Sequence, residues 1–214
     1  MRLFGRIPDV TAENALPGSP EPRYHVPATH EVLGTPLHGP WPDGTEVLYV
    51  AMGCFWGVER IYWNLPGVVT TAAGYMGGYT QNPTYEETCT GMTGHTETVL
   101  VAYDPAQTTP QQLLKAFWEN HDPTTPNQQG NDVGTQYRSA VYWTTDAQRE
   151  AVEQTRDLIA SELAERNLPP ISTEFKPAAE AGEFFYAEDY HQQYLHKVPN
   201  GYCNHGPNGL SCNI

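Results

Sequence analysis

The side chain with the clearest chemical potential is Cys54, in the segment Gly53-Cys54-Phe55-Trp56-Gly57 between a predicted strand and a predicted helix. The first N–H groups of a helix have no partner within the helix, and the helix dipole favours a negative charge there. We therefore expect the Cys54 thiol to ionise more readily than a free cysteine, whose pKa is about 8.5. The alternative is an inert buried thiol, with Phe55 and Trp56 as core residues and not walls of an apolar substrate pocket.

A carboxylate stands at an unusual position in Gly94-His95-Thr96-Glu97-Thr98, because Glu97 begins a strand that continues with the apolar residues 99–101. If Glu97 faces an aromatic pocket, the loss of water raises its pKa and makes it a proton donor near pH 7. The alternative is that Glu97 points to solvent from an open face of the sheet. His95 is interpreted as a loop histidine.

Two predicted loops carry polar groups that could hold the oxygen of a substrate. They are Tyr75, Tyr79 and Tyr85 in one loop, and Asp132, Gln136, Tyr137 and Arg138 in the other. Neutral phenol hydroxyls are suitable donors to a polar oxygen. The alternatives are packed tyrosine rings, and an ion pair between Asp132 and Arg138.

Two further cysteines, Cys203 and Cys212, lie nine residues apart in a segment rich in glycine and asparagine. Thiols in such a segment could attack an oxidised sulfur and be oxidised in turn. A zinc site is the competing hypothesis, with ligands from Cys203, His205, Cys212 and either His191 or His196. The cysteines lack the spacing of two to four residues that common zinc modules have, which disfavours metal. Cys89 is interpreted as a buried structural thiol.

The elements that must position these residues follow from periodicity and from turn residues. Strands are predicted at 45–51, 68–73, 96–103, 139–143 and 172–175, and helices at 55–65, 110–120, 146–166 and near 188–195. Residues 74–84 and 123–138 are predicted loops. The first strand, helix and second strand suggest a β-α-β core with an added strand. Irregular alternation of strands and helices predicts an α+β fold with helices on one or both faces of a sheet.

The chain divides into three predicted parts. Residues 1–43 contain eight of the 19 prolines and are interpreted as an extended N-terminal arm, residues 44–198 as the catalytic domain, and residues 199–214 as a flexible tail that carries the recycling cysteines.

Composition restricts the class of protein. The chain has 25 acidic and 11 basic side chains, a formal charge of −14, which disfavours binding to nucleic acid or to anionic lipid. No apolar run approaches the length that spans a bilayer, and the first residues do not resemble a secretory signal. We therefore expect a soluble, cytoplasmic protein whose cysteines are mostly thiols.

Six segments together resemble peptide methionine sulfoxide reductase, type A. In sequence order they are Gly53-Cys54-Phe55-Trp56-Gly57-Val58-Glu59, Gly74-Tyr75-Met76-Gly77-Gly78, Asn82-Pro83-Thr84-Tyr85, Gly94-His95-Thr96-Glu97, Gly130-Asn131-Asp132-Val133-Gly134-Thr135-Gln136-Tyr137-Arg138-Ser139 and Gln192-Gln193-Tyr194-Leu195. The resemblance covers about residues 45 to 203. It implies a two-layer α/β sandwich around a mixed sheet, with an irregular C-terminal arm.

The resemblance also implies site residues and a reaction. Cys54 matches the nucleophile and Glu97 the proton donor; Phe55 and Trp56 match the wall for the substrate methyl group, and Tyr85, Asp132 and Tyr137 the groups that hold the sulfoxide oxygen. Attack by Cys54 leaves a sulfenic acid, which Cys203 and then Cys212 resolve. The tail between these cysteines departs from the family's glycine-rich pattern, since Pro207 restricts its bending.

The implied function is repair of oxidised proteins, as a peptide-methionine (S)-S-oxide reductase. Methionine sulfoxide, in proteins or as the free amino acid, would be the substrate and thioredoxin the external reductant. We expect a monomer without a bound cofactor. The alternative from another class of enzyme is a cysteine hydrolase, in which Cys54 acts with His95 or His191 and with Asp189.

Overall fold

A six-stranded mixed sheet forms the centre of the computed structural model, which describes residues 10–213. Its strands are β1 (Glu46–Met52), β2 (Val68–Met76), β3 (Thr96–Tyr103), β6 (Ser139–Trp143), β7 (Glu174–Pro177) and β8 (Phe185–Tyr186); a separate pair is formed by β4 (Gln128–Gln129) and β5 (Asp132–Val133). The order across the sheet is β7-β6-β1-β3-β2-β8. All neighbours are antiparallel except β6 and β7, which are parallel.

Six α-helices occur among residues 10–213, five of them between strands and one after the last strand. They are α1 (Phe55–Trp63), α2 (Tyr85–Cys89), α3 (Pro110–Glu119), α4 (Asp146–Glu165), α5 (Ala178–Ala181) and α6 (Tyr194–Lys197), with short 3-10 turns at Thr135–Tyr137 and Asp189–His191. Threonine side chains at positions 84, 109 and 145 accept hydrogen bonds from the first turns of α2, α3 and α4. These caps satisfy donors that the helices themselves leave unpaired.

The main core lies between one face of the sheet and the helices α1, α3 and α4. Alternate residues of β1 and β3, such as Leu48, Val50, Val99 and Val101, point to this face and are fully buried. Among residues 10–213, no helix is long and apolar enough to cross a membrane. The predicted α+β class, with a two-layer sandwich around a mixed sheet, is confirmed.

The opposite face of the sheet is covered by irregular chain. Leu37 from the N-terminal arm is fully buried against Leu100 and Ala102 of β3, and Trp41 also packs there. Residues 10–43 have no helix and only isolated bridges, which agrees with the predicted irregular arm, although they lie on the sheet. The first nine residues of the predicted arm, 1–9, lie outside the described residues.

The β1-α1-β2 unit contains the added strand that was predicted for the β-α-β core: it is β3, which lies between β1 and β2 and is antiparallel to both. The prediction that residues 74–84 form a loop is wrong at its start, since β2 continues to Met76. Gly74 and Tyr75 pair with β3 on one side and with β8 on the other. The structure also has a helix, α2, that was not predicted, although Thr84 and Glu87 have the spacing of a capping box.

The predicted helix near 188–195 is wrong, because Gln192 and Gln193 interrupt it. The Gln192 side chain accepts from the Ala73 N–H (2.9 Å) and donates to the Ala73 C=O (2.8 Å), as a neighbouring strand would. Gln193 has a positive φ of 48°, and its N–H and side-chain amide both donate to the buried carboxylate of Glu59 at 2.7 Å. Long-range hydrogen bonds therefore hold this segment in a non-helical form against β2 and α1.

We expect Gln192→Ala to lower the free energy of unfolding by about 1–3 kcal/mol, because the buried Ala73 N–H would lose its acceptor. Urea unfolding followed by circular dichroism measures this change. Gln154→Ala, at an exposed position of α4, is the control and should change stability by less than about 0.5 kcal/mol. Equal stability of the two variants would contradict the prediction.

Candidate active site

Cys54 lies between the end of β1 and the first turn of α1, as predicted. Gly53 makes the turn with a φ of 92°, and a Cβ at this residue would come within 2.5 Å of the Gln129 side chain, so glycine is required. Cys54 is the N-cap residue of α1, but its side chain makes no capping hydrogen bond. Only 6% of its surface is exposed, and it borders a cavity.

The expectation that Cys54 ionises readily is wrong for the molecule without substrate. Burial raises the pKa of the Cys54 thiol far above its ordinary value, and the nearby Glu97 raises it further when that group is charged. A backbone hydrogen bond from Trp56 favours the thiolate but is outweighed by desolvation. The helix N-terminus is thus present, but its effect on the pKa of Cys54 is smaller than the effect of desolvation at this buried site.

Glu97 is buried beside Cys54, so the alternative that it faces solvent is wrong. Its carboxyl accepts a hydrogen bond of 3.0 Å from the Phe55 N–H, and 2% of its surface is exposed. Burial raises the pKa of Glu97 to about 8; the Phe55 hydrogen bond opposes this shift, and the charge of Asp132 adds to it. Glu97 therefore keeps a proton near pH 7, as a proton donor requires.

One cavity of about 120 Å³ joins the predicted site residues. It is lined by Cys54, Phe55, Trp56, Tyr85, Glu97, Asp132, Tyr137 and Tyr202. This volume equals that of about four water molecules, which suits the end of one side chain and not a whole peptide. Seven of the eight residues were predicted; Tyr202 was missed, and its only signal was its position next to Cys203.

The apolar wall of the cavity is held in place by ring contacts. The Trp56 indole N–H donates to Nδ1 of His191 at 3.0 Å, and the indole stacks on Tyr194 with centroids 3.9 Å apart and planes inclined by 20°. Burial, with a smaller effect of Lys197, lowers the pKa of His191 to about 3. His191 is therefore neutral and able to accept this hydrogen bond.

The polar wall consists of phenols and one carboxylate. Asp132 accepts hydrogen bonds from the Tyr202 hydroxyl (3.1 Å) and the Asn204 amide (2.9 Å), so the alternative that it pairs with Arg138 is wrong. Burial raises the pKa values of Tyr85 and Tyr137, which keeps both phenols protonated as donors. The backbone N–H of Tyr85 is fixed by the Glu188 carboxylate at 2.7 Å.

Cys203 lies against the first turn of α1, the same turn that Cys54 begins. A Cβ on Gly57 would come within 2.9 Å of the Cys203 sulfur, so only glycine permits this approach. The sulfur is half-buried and accepts a hydrogen bond of 3.1 Å from the Arg60 guanidinium. The structure thus brings Cys203 close to the helix that carries Cys54.

Cys212 and Cys89 occupy other environments. Cys212 is fully buried: its N–H donates to Glu119 at 2.9 Å, and its C=O accepts from Lys115 at 2.9 Å. The tail is irregular but lies on α3, and its flexibility stays a prediction. Cys89 is exposed at the end of α2, so its interpretation as a buried thiol is wrong.

The histidine and aspartate side chains that the alternative cysteine hydrolase would need are bonded to groups other than Cys54. His95 is buried, with its ring bonded to the Gly78 N–H and the Thr80 C=O. His191 is bonded to Trp56, and the Asp189 carboxylate pairs with Lys197. Between residues 10 and 213, no group of three or more His, Cys, Asp or Glu side chains is arranged to hold a metal ion, so the four proposed zinc ligands are not assembled.

Comparisons with known proteins point to one family. Residues 46–210 match the family model described as "Peptide methionine sulfoxide reductase". The "Peptide methionine sulfoxide reductase MsrA" of Salinispora arenicola (strain CNS-205) is 57% identical over 207 residues, which is 96% of this chain and 92% of the relative.

Solved structures agree with this match. Methionine sulfoxide reductase A of Corynebacterium diphtheriae is 48% identical, with a TM-score of 0.83 over 98% of this chain and 99% of that chain. Mxr1 from Saccharomyces cerevisiae in reduced form is 33% identical, with a TM-score of 0.69 over 76% of this chain and 91% of that chain. Mxr1 has also been solved in complex with Trx2.

We expect an infrared pH titration to show a buried carboxylic acid that loses its proton near pH 8, because Glu97 is desolvated. Burial also raises the pKa of Glu59, to about 7, so the Glu97 signal is the part of the carbonyl absorption lost in this range that is missing in Glu97→Gln. Glu153→Gln, which alters an exposed carboxylate of α4, serves as the control and should leave this titration unchanged. A Glu97 signal that titrates near the ordinary value of about 4.3 would contradict the assignment.

Proposed function

Because this chain belongs to the peptide methionine sulfoxide reductase family, type A, it is a thiol-dependent reductase of methionine sulfoxide, and we propose that the reduction takes place in the cavity beside Cys54. The observation that carries this proposal is the meeting of three groups in one small cavity. They are a thiol (Cys54), an acid that holds its proton at pH 7 (Glu97) and an aromatic wall (Phe55 and Trp56).

The cavity suits a methyl sulfoxide because its two sides differ in polarity. In the proposed complex, the substrate methyl group contacts Phe55 and Trp56, and the oxygen faces the hydroxyls of Tyr85 and Tyr137 and the carboxyl of Glu97. Neutral donors suit a sulfoxide oxygen, which carries only a partial negative charge. A site with unlike sides can distinguish the two configurations at sulfur, and the S epimer is the proposed substrate.

The proposed reaction begins when Glu97 donates its proton to the sulfoxide oxygen, which makes the sulfur electrophilic. Cys54 attacks that sulfur and loses its proton to the newly formed Glu97 carboxylate, the charge nearest to it in the cavity. The oxygen passes to Cys54 as a sulfenic acid and the thioether leaves as methionine. Atoms and protons balance, since a thiol and a sulfoxide give a sulfenic acid and a thioether.

The raised pKa of Cys54 fits this sequence of events. A buried thiol is protected from adventitious oxidation, because the thiolate is the reactive form. In the proposal, Cys54 becomes a thiolate only when Glu97 has given its proton to bound substrate. Ionisation of the nucleophile is then coupled to the presence of a sulfoxide.

Recycling is proposed to proceed through the tail. Cys203 attacks the Cys54 sulfenic acid, water leaves, and a Cys54–Cys203 disulfide forms. The Cys212 thiol then loses its proton and forms an S–S bond to Cys203, the Cys54–Cys203 bond breaks, and Cys54 takes up a proton and leaves as a thiol; for this step Cys212 must leave its buried position on α3. Thioredoxin is the proposed reductant and partner, in a cytoplasmic location that keeps thiols reduced; the yeast relative Mxr1 has been solved in complex with Trx2.

We expect Cys54→Ser to abolish the reduction of an acetylated methionine sulfoxide with dithiothreitol as reductant, and Glu97→Gln to lower kcat/KM by about 10²–10⁴, the usual contribution of a general acid. Activity of the unmodified chain should fall above pH 8, where Glu97 loses its proton, and Glu97→Gln should lack this decline. Glu153→Gln is the matched control with full activity. An unchanged rate in Glu97→Gln would rule out the acid role.

We expect the unmodified reduced chain, without any reductant, to form a second methionine per molecule, because transfer of the oxidation to Cys212 frees Cys54. Cys212→Ser should stop after the first methionine with a Cys54–Cys203 disulfide. Cys203→Ser should also stop there, with a sulfenic acid that dimedone traps on Cys54. Quantified methionine and peptide mass spectrometry provide the measurement, and Cys89→Ser is the control. A second methionine from Cys212→Ser would exclude Cys212 from the relay.

A further inference from the structure

Arg60 has an unusual hydrogen-bond partner for an arginine. It lies in the last turn of α1, and its Nη2 donates to the sulfur of Cys203 at 3.1 Å. It does not line the cavity that holds Cys54 and Glu97. The Arg60 charge therefore lies beside Cys203, the second cysteine of the proposed reaction, and not beside the substrate cavity.

The absence of a carboxylate partner distinguishes Arg60 from the other basic side chains. Residues 10–213 contain nine lysines and arginines, and eight of them lie within 4.0 Å of a carboxylate oxygen. These eight are Arg23, Lys115, Arg138, Arg149, Arg156, Arg166, Lys176 and Lys197. In this part of an acidic chain, Arg60 alone forms no such ion pair, and a thiol takes the place of the carboxylate.

The surroundings hold the Cys203 sulfur beside Arg60. Gly57 leaves space for this sulfur on the first turn of α1, and the ring of His205 is bonded through Nε2 to the Met52 C=O at 2.7 Å. Met52 ends the strand that leads to Cys54. The tail is thus held at two points beside Cys54. His205 contacts the end of the strand before Cys54, and Cys203 contacts the helix that Cys54 begins.

We propose that Arg60 is a positioning residue for the step in which Cys203 resolves the oxidised Cys54, a role that rests on the function proposed above. A hydrogen bond from a charged donor is stronger than one from a neutral donor, so the guanidinium holds the Cys203 sulfur on the first turn of α1, from which it attacks Cys54. The Cys203 sulfur loses its proton and forms an S–S bond to Cys54. The S–O bond of the sulfenic acid breaks, and the oxygen leaves as water; the sulfenic acid is itself the oxidant.

The test separates the two steps in the full-length reduced chain with Cys212→Ser as the background, in which the Cys54–Cys203 disulfide is not passed on, without a reductant. The chain is mixed with acetylated methionine sulfoxide and quenched in acid at intervals. Methionine is quantified by chromatography, and the Cys54–Cys203 disulfide and a dimedone adduct of Cys54 by mass spectrometry. In Arg60→Gln we expect methionine to form within twofold of the normal rate, and the disulfide about tenfold or more slowly, the effect of one lost charge-assisted hydrogen bond.

Two further results distinguish an effect of charge from a structural defect. Arg60→Lys, which keeps the charge, should recover part of the rate of disulfide formation. The matched control Arg156→Gln removes an exposed charge from α4 and should behave normally.

Other outcomes overturn the proposal. Disulfide formation in Arg60→Gln at the normal rate would exclude a role for Arg60, and Arg60→Lys as slow as Arg60→Gln would exclude a role for its charge. Failure of the unmodified chain to form methionine would instead refute the proposed function. The first product and the disulfide are measured separately, so these failures cannot be confused.

Discussion

The hydrogen bond from the Phe55 N–H to the Glu97 carboxyl is the constraint on which the site depends. It joins the first turn of α1 to β3 and places a buried acid beside the buried Cys54. Desolvation raises the pKa of both groups, so both hold protons at rest. Because the folded pKa of Glu97 lies above that of an unfolded chain, its effect on stability is fully present below about pH 4.3. It is lost as the pH rises through about 8. Catalysis and folding therefore both favour the protonated acid.

The sequence predicted the site better than the elements around it, and the reason is physical. Cys54 and Glu97 were recognised because a thiol at a helix start, or a carboxylate in an apolar strand, is an exception to local patterns. The hydrogen bonds of Gln192 and Gln193 reach Ala73 and Glu59, more than a hundred residues away, so local periodicity could not predict the broken helix. The high pKa of Cys54 was also beyond prediction, because it depends on burial by distant elements.

The docked tail gives the recycling step a structural cost. Cys212 is held on α3 by Lys115 and Glu119, and the Asn208 side chain donates to the Trp118 C=O at 2.8 Å nearby. These hydrogen bonds are partly buried, and Cys212 and Leu210 belong to the main hydrophobic core, so release of the segment costs apolar contacts as well as hydrogen bonds. Cys203, in contrast, already lies on α1. The first resolving step therefore needs less rearrangement than the transfer to Cys212.

The sulfurs of Cys54 and Cys203, which both lie at the first turn of α1, have different electrostatic surroundings. In the proposal Cys54 remains a thiol until a sulfoxide is bound, and it lies in a cavity where Glu97 is protonated near pH 7 and where a negative charge on Asp132 disfavours its thiolate. In the proposal Cys203 attacks after the substrate has left, and its sulfur is not among the atoms that line this cavity but lies 3.1 Å from the Arg60 guanidinium. A positive charge as close to Cys54 as Arg60 is to Cys203 would stabilise the Cys54 thiolate before substrate binds. The coupling between substrate binding and ionisation of Cys54 would then be lost. The two environments stay separate because neither Arg60 nor Cys203 is among the residues that line the cavity, while Gly57 allows the Cys203 sulfur to contact the first turn of α1.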